Sequence, residues 1–406
     1  MELANKNVSK ELPELSHKLI ILMATATGIA VANIYYIQPL LNQIAKYYNI
    51  SQSSAGLLAT LTQVGYALGL FLILPLADLV ERKKLILTML LLSALSLLTM
   101  YFSTSFIITS IDCIAIGITS VIPQLFLPLC AKLSEESERG KNIGYIMSGL
   151  LIGVLLSRVI SGMIGKYFEW RIMYLMAVFF MIGLFLVLKI MLPVCEVDKN
   201  INITYISSLK SMITLPKKFP IIKEAAINGA MILAAFSALW TTLTFHLQSS
   251  FFNFDTNIVG MFGLLGVSGA ILAPLAGKLS DRKGEKFTVG VNIAIILVSY
   301  LCFIILGFKV WGIIIGVVLL DMGVNSCNVA NQSRIQRLSE EARNRITSIY
   351  MVSLFTGGAI GSYLGALLYN NYGWYGFCAI GVATQIIAIC VHFIGRRKEI
   401  REGTYR

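Results

Sequence analysis

The chain contains twelve apolar runs of about 20 residues, each long enough for a helix to cross the hydrocarbon core of a bilayer. Their approximate limits are Leu19 to Ile37, Gly56 to Ala77, Leu85 to Phe102, Ile107 to Leu127, Ile143 to Ile164, Ile172 to Leu192, Ala225 to Phe245, Ile258 to Ala276, Phe287 to Leu306, Trp311 to Ala330, Ile346 to Leu368 and Tyr375 to Ile394. With 56% hydrophobic and 13% charged residues, most of this chain has lipid as its solvent. Lipid offers backbone N–H and C=O groups no partner, so the runs predict an all-α membrane protein of twelve transmembrane helices. The run after Lys18 leads into Asn33-Ile-Tyr-Tyr-Ile-Gln-Pro39 with no small-residue cleavage site, and reads as a retained helix.

A net charge of +12 on a soluble protein would suggest a nucleic-acid partner, but the distribution of the 33 Lys and Arg residues argues against one. With the N-terminus inside, 28 of them fall on cytoplasmic segments, four (Lys46, Lys166, Arg171, Lys309) fall outside, and Arg158 alone lies within a run. This is the positive-inside pattern, with both termini in the cytoplasm. Seven cysteines without a CxxC pair read as small core residues, with no metal site and no disulfide framework.

The chain repeats itself. KLSEE at Lys132 and RLSEE at Arg337 lie 205 residues apart, Asp78 and Asp281 in LADLVERKK and LSDRKGEK lie 203 apart, and Phe168-Glu-Trp170 and Tyr372-Gly-Trp374 lie 204 apart. Each pair occupies one position in a six-helix unit, which implies two parallel halves, 1–192 and 225–406, around a site near the midplane. The cytoplasmic linker 193–224 contains YISSLKSMI (Tyr205 to Ile213), whose apolar spacing fits a surface-lying helix as well as a solvated connection.

Gly277-Lys-Leu279-Ser-Asp281-Arg282-Lys-Gly284 resembles the loop signature of the major facilitator superfamily, departing from it at Glu285. The first-half copy is degraded, with Leu74, Leu79 and Glu81 at signature positions, but keeps Asp78, Arg82 and Lys83. ANIYYIQPLL, PLADLVERKK and DMGVNSCNVANQSR resemble the bacterial drug or sugar efflux branch of that family. The resemblance implies a proton-coupled secondary transporter in the bacterial cytoplasmic membrane, with cytoplasmic gating by Asp78, Arg82, Lys83, Gly277, Asp281, Arg282 and Gly284. It also implies that the first, fourth, seventh and tenth helices line the cavity. Efflux members carry a glycine ladder with a proline in helix five; here Gly144, Gly153, Ser157, Ser161 and Gly162 keep its small face while Arg158 replaces the proline.

An arginine near mid-bilayer costs about 2.5–3.5 kcal/mol on insertion scales and needs a partner, a wet cavity or an anionic ligand. Asp112 lies at a similar depth on the preceding helix, so one expectation is an Asp112–Arg158 pair, formed throughout or in one transport state only. The other is that Arg158 reaches to the outer interface while Asp112 caps. In the tenth run Asp321, Asn325, Asn328 and Gln332 share one helical face, which should meet a cavity or another helix. Of Asp112 and Asp321, read as the only carboxylates well inside the runs, Asp321 lacks an evident cation in sequence and is the expected proton carrier. Asn33 with Tyr35, Tyr36 and Gln38, and Trp240 with Thr241 and Thr242, are further cavity candidates. No phosphate-binding loop or hydrolase motif occurs, so the expectation is transport driven by a gradient of protons or Na+, without a cofactor, by a monomer. The alternative is import of a small anionic metabolite held by Arg158.

Overall fold

A helix satisfies its own backbone, and helices fill the computed structural model, which describes residues 16–194, 204–268, 282–338 and 343–401. The first crossing is made by α1 (His17–Tyr35) and α2 (Ile37–Tyr48), followed by α3 (Gln52–Ile73), α4 (Arg82–Phe102), α5 (Phe106–Thr119) with α6 (Ile122–Leu133), α7 (Arg139–Tyr167) and α8 (Trp170–Met191). The linker contributes α9 (Tyr205–Lys218). Beyond it come α10 (Pro220–Leu247), α11 (Thr256–Met261), α12 (Glu285–Leu306), α13 (Val310–Gln336) and α14 (Arg343–Arg401).

Among the described residues ten stretches are long and apolar enough to cross a membrane. The last of them, Arg345–Gly395, is 51 residues long, enough for two crossings, and Gly373 divides it with φ 62 and ψ −150. Thr256–Gly266 is a shorter apolar helix, so the described residues hold an all-helical membrane fold in keeping with the expected one. Breaks within crossings sit beside prolines, which remove a backbone donor. Pro39 follows the α1–α2 joint, Pro75 lies in the 3₁₀ turn Leu74–Asp78, and Pro123 opens α6.

Small residues let these helices approach closely. A Cβ on Gly153 would overlap the backbone of Gly28, and one on Gly149 that of Ala24, so α1 and α7 are in backbone contact. Gly357 and Gly361 of α14 sit in the same way against Ala230 and Ala234 of α10. Buried apolar side chains form two clusters. One draws on residues 19–192 plus Phe245; the other draws on residues 212–388 plus six from the first half, among them Val31, Tyr66 and Leu70. The repeated tryptophans occupy matching places. Trp170 packs among Tyr47, Tyr48 and Tyr174, and Trp374 stacks on His246 with centroids 3.9 Å apart.

Gly153→Val should overpack the α1–α7 contact at a cost of about 1–3 kcal/mol and lower the melting temperature in detergent. Gly140→Ala, whose Cβ meets nothing within 4 Å, should leave that temperature unchanged. Equal melting of the two variants would mean that the α1–α7 contact is not formed.

Candidate binding site between the halves

Arg158 is 1% exposed, the largest fully buried side chain among the described residues. It lies nine residues before the end of α7, which puts it about 14 Å in from the membrane end remote from the chain termini. Its Nε donates to Gln38 Oε1 at 2.9 Å, and its guanidinium carbon lies 3.9 Å from the centroid of Trp240. Tyr35 at 5.0 Å and Phe236 at 5.6 Å complete an aromatic wall. Gln38 and Tyr35 come from the first half of the chain and Trp240 and Phe236 from the second, so one charge holds both. Glycine makes the room for it. A Cβ on Gly263, in the 3₁₀ turn Phe262–Gly266, would meet Arg158 Cβ at 2.9 Å.

Asp321 of α13 is 3% exposed and stands beside Gly266 at the other end of that turn. The two charges, one from each half, are near enough to act on one another. Three polar atoms buried at this level, Arg158 Nη2, Trp240 Nε1 and Asp321 Oδ2, have no hydrogen-bond partner among the described residues. Two are donors; the third is a carboxylate oxygen. Unsatisfied buried groups that converge in this way are what a ligand or bound water would complete.

The remainder of the α13 stripe behaves differently. Asn325 donates back to the Asp321 carbonyl at 2.9 Å, while Asn328 Oδ1 accepts from Gln332 at 3.2 Å and from the Tyr350 hydroxyl at 2.9 Å. These three are half-buried and bonded within the second half; only Asp321 meets the other half at Arg158.

Two expectations do not hold in this conformation. Asp112 Oδ1 accepts from Thr99 Oγ1 at 2.7 Å, so the Asp112–Arg158 pair is not formed in this conformation; matching depth left open which way each helix face pointed. Asn33 donates to Ser93 Oγ at 3.3 Å and reaches Met181 Sδ at 3.8 Å, inside the first half and away from Arg158. At about 100° per residue, a helix that turns Tyr35 toward Arg158 turns Asn33 to the opposite side.

Sequence reasoning also missed Glu224, a third buried carboxylate, because α10 begins before its apolar run does. Its Oε2 lies 3.0 Å from Arg334 Nη2 and 3.6 Å from Lys286 Nζ, and its Oε1 lies 3.8 Å from His392 Nδ1. Of the loop-signature residues, Gly277, Asp281 and the Asp78 side chain lie outside the described residues. Arg82 Nε donates to the Ala77 carbonyl at 3.3 Å, Lys83 Nζ to that of Leu192 at 2.5 Å, and Arg282 is exposed. Gly284 caps α12 with φ 86, a conformation that favours glycine, and Glu285 pairs with Arg337 at 2.7 Å.

At the end remote from the termini the halves are joined. Lys166 pairs with Asp255 at 2.9 Å, Asn42 donates to Gln248 at 2.6 Å, Thr244 donates to the Gln38 carbonyl at 2.8 Å, and Gly162 packs on Gly260. Toward the other end of α7, Gly140 and Gly144 have no neighbour within 4 Å of an added Cβ.

An all-helical membrane bundle that holds charged groups of both halves at mid-depth has the build of a secondary transporter. The chain belongs to the Major Facilitator Superfamily, whose model matches residues 23–342. It is thus a multi-pass membrane transporter and not an enzyme. It is 37% identical over 386 residues to the "putative uncharacterized transporter YgaY" of Escherichia coli K12, covering 95% of this chain and 98% of that one. It is 23% identical over 354 residues to a "probable sugar efflux transporter" of Helicobacter pylori P12, covering 86% and 88%. Its fold matches the crystal structure of a bacterial homologue of the human lysosomal transporter Spinster with a TM-score of 0.76 at 14% identity, over 94% of this chain and 96% of that one.

A double-mutant cycle on melting temperature in detergent should separate the two carboxylates. Arg158→Ala with Asp321→Asn should be non-additive by about 1 kcal/mol or more, and Arg158→Ala with Asp112→Asn additive within about 0.5 kcal/mol. The reverse pattern would restore the Asp112–Arg158 pair.

Proposed function

We propose that this protein is a proton-coupled exporter of small organic compounds, drug- or sugar-like, that works by alternating access. Its halves, 1–192 and 225–406, rock about the Arg158–Asp321 layer, joined by the linker 193–224. It acts as a monomer in the bacterial cytoplasmic membrane with both termini in the cytoplasm. On that topology the joined end of the interface is external, and this conformation is closed to the outside. The observation that carries the reading is the pair of opposite charges, Arg158 from one half and Asp321 from the other, each with an unsatisfied atom at the same depth.

A proton on Asp321 removes the attraction between the halves; its loss restores it. Ionised Asp321 accepts a hydrogen bond, which suits an ammonium or hydroxyl group of a substrate while Arg158 and Trp240 donate to the same molecule. A proton arriving at Asp321 competes with that substrate, and the competition makes an exchanger. The sugar-efflux description of the Helicobacter pylori relative is in keeping with such a substrate.

One observation favours a second reading. Protonated Asp321 would present a third donor beside Arg158 Nη2 and Trp240 Nε1, a set that fits a carboxylate travelling with its proton. Purified protein in proteoliposomes carrying a pH dye, given cationic, neutral and anionic compounds, distinguishes the two. Cationic or neutral compounds should drive proton movement in the wild type and none in Asp321→Asn. If anions alone respond, and Arg158→Ala removes the response, the exporter reading fails.

A further inference from the structure

The linker helix α9 takes no part in the Arg158 site. One face, with Ser208 and Met212, is buried, and Met212 joins the apolar cluster of the second half. Its first residue, Tyr205, donates through its hydroxyl to the Leu72 carbonyl at 3.0 Å. Leu72 belongs to the crossing Gln52–Ala77 and is itself 38% exposed, as a lipid-facing leucine is. The start of α9 is thereby fixed at the level of that crossing's last turns.

The opposite face of α9 has the composition of an interface. Ile206 and Ile213 are 75% and 63% exposed. At about 100° per residue, Ile206, Leu209 and Ile213 form one strip, and Lys210 and Lys217 run beside it within about 40° of Ile206, with Lys218 further round. All three lysines are exposed, and the sequence YISSLKSMITLPKK holds no acid. A helix lying in solvent gains nothing from exposed isoleucines next to an exposed Leu72. A helix lying in the headgroup layer buries them in the acyl boundary and sets its lysines among phosphates.

We infer that α9 docks on anionic phospholipid headgroups of the leaflet on the side of the chain termini, through Ile206 and Ile213 and through Lys210, Lys217 and Lys218. Because α9 bonds to the first half at Leu72 and packs in the second at Met212, this docking acts on both halves at once. The inference rests on the membrane fold alone and not on substrate or coupling ion.

Hydrogen exchange of the intact protein in nanodiscs tests it, comparing phosphatidylcholine alone with phosphatidylcholine containing phosphatidylglycerol. Amides 205–218 should exchange more slowly in the anionic discs, by about fivefold for each lysine that reaches a headgroup, and added salt should reverse the effect. Lys210→Gln with Lys217→Gln and Lys218→Gln should abolish the lipid dependence. Equal exchange of the wild type in the two lipids overturns the inference, whether the helix is protected in both by protein packing or open in both to solvent. A lipid effect insensitive to salt overturns the role of the lysines. The wild-type comparison needs no variant to fold.

Discussion

A guanidinium buried at mid-membrane depth must be solvated by the protein that surrounds it, and the middle of this structure is arranged to do so. An arginine at the centre of a helix costs about 2.5–3.5 kcal/mol on insertion scales. A hydrogen bond to a charged group returns about 1.5–3 kcal/mol, and a desolvated cation–π contact about 2. Gln38 and Trp240 supply those two terms, so the cost is offset to within a few kcal/mol. Neither residue comes from the helix that carries the charge. Solvating Arg158 therefore brings α2, α7 and α10 together, and the glycines at 260 and 263 let the turn after α11 close on it. What is left over, one unsatisfied nitrogen facing the level of Asp321, is the part of the charge still available for function.

Much of this was legible in the sequence, and the reason is physical. Lipid imposes so strong a demand on the backbone that apolar length alone predicts the helices, and the positions of Gly373 and of the prolines at 39, 75 and 123 agree with where crossings end or bend. Depth was legible too, because the helical rise is fixed; Arg158, Gln38, Trp240 and Asp321 fall in one layer. Azimuth was less so. Asn33 and Tyr35 are two residues apart and both polar, yet one faces Ser93 in the first half and the other faces Arg158. Asp112 has the right depth and the wrong face. A chain without a neighbouring helix to refer to gives no direction for a polar residue in an apolar run.

Glu224 marks a second kind of limit. Hydropathy places the edge of a crossing where charge begins, so a carboxylate at that edge reads as solvent-facing. The structure instead surrounds it with Arg334, Lys286 and His392, from three other helices of the second half. The same effect explains Glu285, which looked like a fault in a basic loop signature and is an ion-pair partner of Arg337. Signature matching scores residues one at a time, whereas the pairing that justifies an exception lies about fifty residues further along the chain.

Several of the contacts that join the halves at the remote end are individually weak. Lys166 and Asp255 are solvent-exposed, and such a pair contributes little. The hydrogen bond from Asn42 to Gln248 can be exchanged for water at small net cost. The close packing of Gly162 on Gly260 is specific in shape but buries little area. A gate built from such terms sits near balance, where about 1.4 kcal/mol shifts the open and closed populations tenfold. The charges of Arg158 and Asp321 are held away from water and screened far less than the surface pair. On the proposed proton coupling, a change of one proton at Asp321 would be large compared with the exposed pair of Lys166 and Asp255. The proton-coupled cycle proposed above would need that ordering of strengths: strong packing within each half, weaker contacts at the remote end, and one weakly screened pair of charges between the halves.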